Sequence, residues 1–212
     1  MMKFDVAKVI AQHQLVSDQV SPEEIRLILT ALQQVIVADV AGDVVEFGCY
    51  KGTTSLFLMR LLRAIAPQRQ LYIYDSFDGL PDKTAADRAG LGQEFKRGEL
   101  KATKREVIEN FKRAGLPLPE IKKGWFADLT PRDVPERIAF AYFDGDFYGS
   151  IKDSFAACAG RWMPGAAIVV DDYGNEHLPG ARQAVDEWCN AHRNLIKSGP
   201  RLQASLAIIQ LK

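Results

Sequence analysis

Apolar positions along this chain follow two alternating rhythms. The stretch "SPEEIRLILTALQQVIV" repeats apolar residues at helical spacing, with Ser21 as N-cap, Pro22 at the first helical position and Glu24 three residues past the cap, a capping-box arrangement. It predicts a helix over residues 22–37. Short apolar runs then alternate with helical patterns: strands over 43–48, 71–75, 121–126, 137–144 and 166–172, and helices over 53–66, 103–115, 150–162 and 180–192. Such βαβα order predicts an α/β fold with a parallel, doubly wound sheet. The end of the chain has Gly199-Pro200 between two apolar stretches with no helix between them, which predicts an antiparallel hairpin at the sheet edge. Residues 76–102 break the rhythm, being polar, charged and far longer than an ordinary strand-to-helix connection. They read either as a lid over a site or as a solvated surface excursion.

The 212 residues suit one domain with one sizeable core, comprising an N-terminal helical segment (1–40) and the body that follows. The 27 basic and 27 acidic side chains cancel, so no global field draws in nucleic acid or anionic lipid. The N-terminus lacks an apolar signal-like region and no stretch approaches 18 apolar residues, which points to a cytoplasmic chain with neither a membrane nor a nucleic-acid partner. Cys49, Cys158 and Cys189 are widely spaced and form no CxxC, so they read as small buried hydrophobes.

In an open parallel sheet, ligands bind outside the carboxyl ends of the strands. The first strand runs into "EFGCYKGTTS", where Gly48 and Gly52 allow a tight turn and close backbone approach just before a helix; it matches neither GxGxxG nor GxxxxGK[ST]. The second strand ends at Asp75, 23 residues after Gly52, where an acid can accept hydrogen bonds from a ribose diol. Together they suggest an adenosine ligand. Trp125 and Phe126 follow the third strand and either wall in a base or belong to the core. The fourth and fifth strands end in Asp144 and in Asp171 with Asp172. Three converging carboxylates repel unless a cation lies among them, and hard oxygen ligands suit Mg²⁺. A single such acid also fits a helix N-cap, since "DFYGS" and "DDYGN" both precede helices. Asp146 either accepts a substrate proton or holds the loop, and His177 is a second candidate base at neutral pH.

Six motifs, "EFGCYKGTTS", "YDSFDGLP", "GWFADLTP", "FDGDFYGS", "IVVDDYG" and "PGARQAVDEW", occur in this order over residues 43–190. So arranged, they resemble the macrocin O-methyltransferase family. The resemblance implies a class I methyltransferase, Rossmann-like fold with a mostly parallel seven-stranded sheet. It also implies S-adenosyl-L-methionine and Mg²⁺ as cofactors, and methylation of sugar hydroxyls on secondary metabolites. Carried over, Glu46, Gly48, Tyr50, Lys51, Gly52 and Thr53 would face the methionine part of the cofactor. Asp75 with Ser76 would face its ribose, and Trp125, Phe126 and Asp128 its adenine. Asp144 would border the cofactor and share the metal with Asp171 and Asp172; Asp144, Asp146 and His177 are the candidates for proton transfer. The implied partner is a small-molecule acceptor with adjacent hydroxyls, and family habit together with the apolar first helix suggests a homodimer. Two other classes compete: a metal-dependent glycosyltransferase using "FDGD" as a DxD element, and a non-catalytic scaffold that binds S-adenosylmethionine.

Overall fold

The computed structural model describes residues 4–89, 91, 95–130 and 132–212. Five strands, β1 (Asp43–Phe47), β2 (Leu71–Asp75), β3 (Glu120–Lys123), β4 (Ile138–Phe143) and β5 (Trp162–Val170), run parallel. β6 (Ile196–Gln203) and β7 (Leu206–Leu211) form the C-terminal hairpin, whose β7 pairs antiparallel with β5. The sheet order is β3-β2-β1-β4-β5-β7-β6, so strand order reverses between β1 and β4. All six residues of β4 are buried, as a central strand covered on both faces requires.

Six helices flank the sheet: α1 (Val6–Gln12), α2 (Pro22–Val37), α3 (Thr53–Ile65), α4 (Lys104–Arg113), α5 (Tyr148–Ala157) and α6 (Pro179–Ala191). The α2 capping box forms as its sequence predicts: the Ser21 hydroxyl accepts from the Glu24 N–H while Glu24 accepts from the Ser21 N–H. Its apolar stripe, Ile25, Ile28, Leu29, Leu32, Val35 and Ile36, faces one half of the core. α5 and α6 cover the other face with Phe155, Ala181, Ala184 and Val185. The three cysteines are buried and free.

Several element ends differ from the sequence expectation: β5 runs Trp162–Val170 rather than 166–172. α5 stops at Ala157, with Gly160 in the left-handed region at φ 73°, rather than running to 162. β3 ends at Lys123, and Phe126–Asp128 forms a 3₁₀ turn instead of continuing the strand, which turns Trp125 out of the sheet. No helix among the described residues is long and apolar enough to cross a membrane.

Candidate active site

Backbone bonds stitch the carboxyl ends of the parallel strands into a ledge. The Gly48 N–H donates to Tyr74 O, the Asp144 N–H to Phe47 O and the Asp171 N–H to Phe143 O, each at 2.8 Å, and Gly124 N–H donates to Asp75 O at 2.9 Å. Above this ledge, at the reversal between β1 and β4, lies a cavity of about 390 Å³. Gly48 is required there: at φ +86° its backbone passes so close to β4 that a Cβ would sit 1.8 Å from the Asp144 carbonyl oxygen. Tyr50 (φ 48°), Phe77 (φ 53°), Asp146 (φ 58°) and Asp172 (φ 59°) also hold left-handed backbone, all in the loops that leave the strand ends.

Asp75 lines the cavity, and its carboxylate organises the loops on either side. Oδ2 accepts from the N–H groups of Cys49 (2.8 Å) and Tyr50 (3.2 Å), and Oδ1 from Phe77 (2.7 Å). Glu46 lies behind the loop, fully buried and outside the cavity lining. The Ser55 hydroxyl donates to its Oε2 at 2.5 Å and its Oε1 has no partner; burial, opposed by that bond, raises the carboxyl from 4.5 to about 8. Gly48, Tyr50, Asp75, Ser76, Trp125, Phe126 and Asp144 all line the cavity. Lys51, Gly52 and Thr53 do not: Lys51 offers its carbonyl to Asn110, Gly52 caps α3, and the Thr53 hydroxyl bonds to Ser17. Trp125 is 38 % exposed on the cavity wall, which takes it out of the core, whereas Phe126 packs edge-on to Phe47. Asp128 is exposed and off the wall, while Asp153 lies on it.

The acids at the β4 and β5 ends converge, but not in the expected combination. Asp144, Asp146 and Asp172 each present an oxygen within 4.8 Å of the others. Asp171 stands outside that set because its oxygens are engaged: Oδ2 lies 2.5 Å from the Tyr142 hydroxyl, and Oδ1 accepts from the Asp172 N–H at 2.8 Å and faces the Ser205 hydroxyl at 2.9 Å. Asn175 donates to Asp172 Oδ1 at 3.0 Å and so orients it. The short "DDYGN" spacing carries the only sequence signal for this contact. His177 does not line the cavity; its N–H is bonded to the Asn175 side chain.

Burial and mutual repulsion push these carboxyls up. For Asp144 and Asp172 burial is the largest cause, followed by Asp171 and then the other acids, and both lie well above the ordinary carboxyl range. Asp146 is raised to about 7, by burial and then by Asp171 and Asp75. Asp171 is also raised by burial, with its Tyr142 bond opposing. Seven aspartates line the cavity and, among the described residues, no Lys, Arg or His does. A hard divalent cation fits this donor set, since it supplies the positive charge that the wall lacks.

Among known proteins, residues 19–198 match the macrocin-O-methyltransferase (TylF) family. The chain belongs to that family. It is 32 % identical over 164 residues to the 8-demethyl-8-(2,3-dimethoxy-alpha-L-rhamnosyl)-tetracenomycin-C 4'-O-methyltransferase of Streptomyces olivaceus, covering 74 % of this chain and 61 % of that one. It is 33 % identical over 161 residues to the mycinamicin III 3''-O-methyltransferase of Micromonospora griseorubida, covering 72 % and 62 %. The chain thus spans about three fifths of the length of these curated relatives. In three dimensions it matches the O-methyltransferase NovP at a TM-score of 0.80 and 26 % identity, over 91 % of this chain and 81 % of that one. The fold is that of the class I O-methyltransferases.

Proposed function

We propose that this macrocin-O-methyltransferase family member transfers a methyl group from S-adenosylmethionine to one hydroxyl of a vicinal diol on a small molecule, in a Mg²⁺-assisted reaction. The diol is carried by a sugar of a secondary metabolite, as the names of its relatives suggest. The observation that carries this reading is the juxtaposition, in one cavity, of the Gly48 to Tyr50 cradle with the Asp144, Asp146 and Asp172 cluster.

The cofactor supplies an electrophilic methyl group, and the metal lowers the pKa of a hydroxyl held beside it. Gly48 and Tyr50 let the backbone approach the methionine end, Asp75 with Ser76 borders the ribose, and Trp125 with Phe126 walls in the adenine. Asp144, Asp146 and Asp172 would hold the metal, with Asp171 and Asn175 orienting Asp172. Asp146 Oδ would accept the hydroxyl proton as the oxygen–methyl bond forms and the sulfur–methyl bond breaks, with S-adenosylhomocysteine as the leaving group. A DxD glycosyltransferase is disfavoured, because among the described residues no basic side chain lines the cavity to receive a nucleotide diphosphate. Nor does a pure scaffold account for so many buried, mutually repelling acids.

The test is transfer of a labelled methyl group from S-adenosylmethionine to a panel of rhamnosylated glycosides, with and without chelator, alongside calorimetric titration with S-adenosylhomocysteine. Full transfer in chelator would remove the metal from the reading. No binding of S-adenosylhomocysteine would remove the reading itself.

A further inference from the structure

Within the 76–102 segment, Asp87 is 1 % exposed although it lies in a polar, charged connection between β2 and α4. Its Oδ1 accepts from the Tyr148 N–H at 2.7 Å, and its Oδ2 from the Thr84 N–H at 2.8 Å and the Thr84 hydroxyl at 2.7 Å. Tyr148 is the first residue of α5, whose own N-cap residue, Phe147, makes no side-chain cap bond. The cap therefore comes from 61 residues upstream, and the negative charge sits where the helix dipole favours it. Gly180 of α6 leaves the room for this carboxylate and for the start of α5: a Cβ there would lie 1.8 Å from Asp87 Oδ1 and 2.9 Å from Tyr148 Cβ. An apolar cluster of Leu80, Phe147 and Leu178, with Phe95 and Leu100 against it, closes the same seam.

From this geometry we infer that Asp87 is a positioning residue of the site, a latch that fixes two cavity walls at once. On one side it holds the segment carrying Leu80 and Pro81. On the other it fixes the start of α5, directly after the loop bearing Asp144 and Asp146. Residues 76–89 thereby form a wall whose placement depends on one buried side chain and the missing side chain of Gly180. This role rests on the methyl-transfer reading only for its consequence; the latch itself is testable apart from it.

Four proteins decide the matter: wild type, Asp87→Ala, Gly180→Ala and the double variant. Each is digested with trypsin under native conditions, with cleavage mapped at Lys83, Arg88, Lys96 and Arg97, and titrated separately with Mg²⁺ and with S-adenosylhomocysteine. Either single variant should speed cleavage about tenfold and weaken Mg²⁺ by about tenfold, because an outer-shell support is lost. S-adenosylhomocysteine affinity should change by less than about threefold, since the cradle lies on β1 and β2. Loss of stability without repositioning would not split the two ligands in this way. Gly180 has no left-handed φ, so the larger part of the harm done by Gly180→Ala should come from the 1.8 Å clash with the carboxylate, and the smaller part from the 2.9 Å contact with Tyr148 Cβ. In the Asp87→Ala background it should therefore speed cleavage by much less than the tenfold expected in the wild type.

The latch is refuted if Gly180→Ala is silent in the wild type or adds its full effect to Asp87→Ala. Asp87→Asn, which keeps the volume but turns a donor toward one N–H, serves should Asp87→Ala fail to fold: it should open the segment in part, and a wild-type cleavage rate would equally refute the latch. A wild type that binds neither Mg²⁺ nor S-adenosylhomocysteine would end the transfer reading while leaving the proteolysis result to judge the latch.

Discussion

Asp172 and Glu46 show how one strand-end acid differs from another. Asp172 faces the cavity beside Asp144 and Asp146, so Asp172→Ala should lower methyl transfer by at least about a hundredfold while S-adenosylhomocysteine still binds. Retained transfer would remove Asp172 from the metal set. Glu46 does not line that cavity and has its carboxyl raised to about 8 by burial. Below pH 4.5 both folded and unfolded chains hold that proton. Between 4.5 and about 8 only the folded chain keeps it, so stability contributed by the protonated acid is lost as pH rises, by up to about 1.4 kcal/mol per pH unit. Glu46→Gln keeps an acceptor for Ser55 and removes the titration. Thermal melts from pH 5 to 8.5 should show the variant's advantage over wild type growing with pH. The sequence located both acids at strand ends, but not which one is turned inward, because that depends on Ser55 reaching back from α3.

At the level of loops and helices, the two glycines of the loop between β1 and α3 separate cleanly. Gly48→Ala forces a Cβ into the Asp144 carbonyl in left-handed backbone, and should cost at least about 3 kcal/mol. Gly52→Ala meets its nearest atom, Val107 Cγ1, at 3.3 Å, so left-handed strain dominates and the cost should be about 1 kcal/mol. Urea midpoints of the two variants measure the difference. Equal midpoints would mean that the ledge between β1 and β4 yields. Periodicity and caps made the strands, α2 and the hairpin legible. The α5 terminus and the 3₁₀ turn after β3 were not, since left-handed Gly160 and the turn that exposes Trp125 leave no mark in an apolar pattern. The swap of Asp171 for Asp146 in the carboxylate set was equally hidden: it depends on Tyr142, a residue that reads in sequence only as part of a buried strand.

For the folded chain as one body, seven aspartates and no basic side chain line one cavity among the described residues, so cation binding there should stabilise it. S-adenosylhomocysteine at a hundred times its dissociation constant adds about 2.7 kcal/mol, a rise of roughly 5–10 °C in melting temperature for a chain of this size. Mg²⁺ alone should raise it as well, with chelator reversing the shift; an unchanged melt would argue against cation binding. The hairpin between β6 and β7 adds a further connection. Its Ser205 hydroxyl sits 2.5 Å from Glu24 in the α2 cap and 2.9 Å from Asp171. A polar thread therefore runs from the solvent-facing start of a helix, across a turn near the C-terminus, to the acids that would set selectivity. Directed evolution need not touch those acids: substitutions at Ser205 or Glu24 offer a remote dial for retuning them.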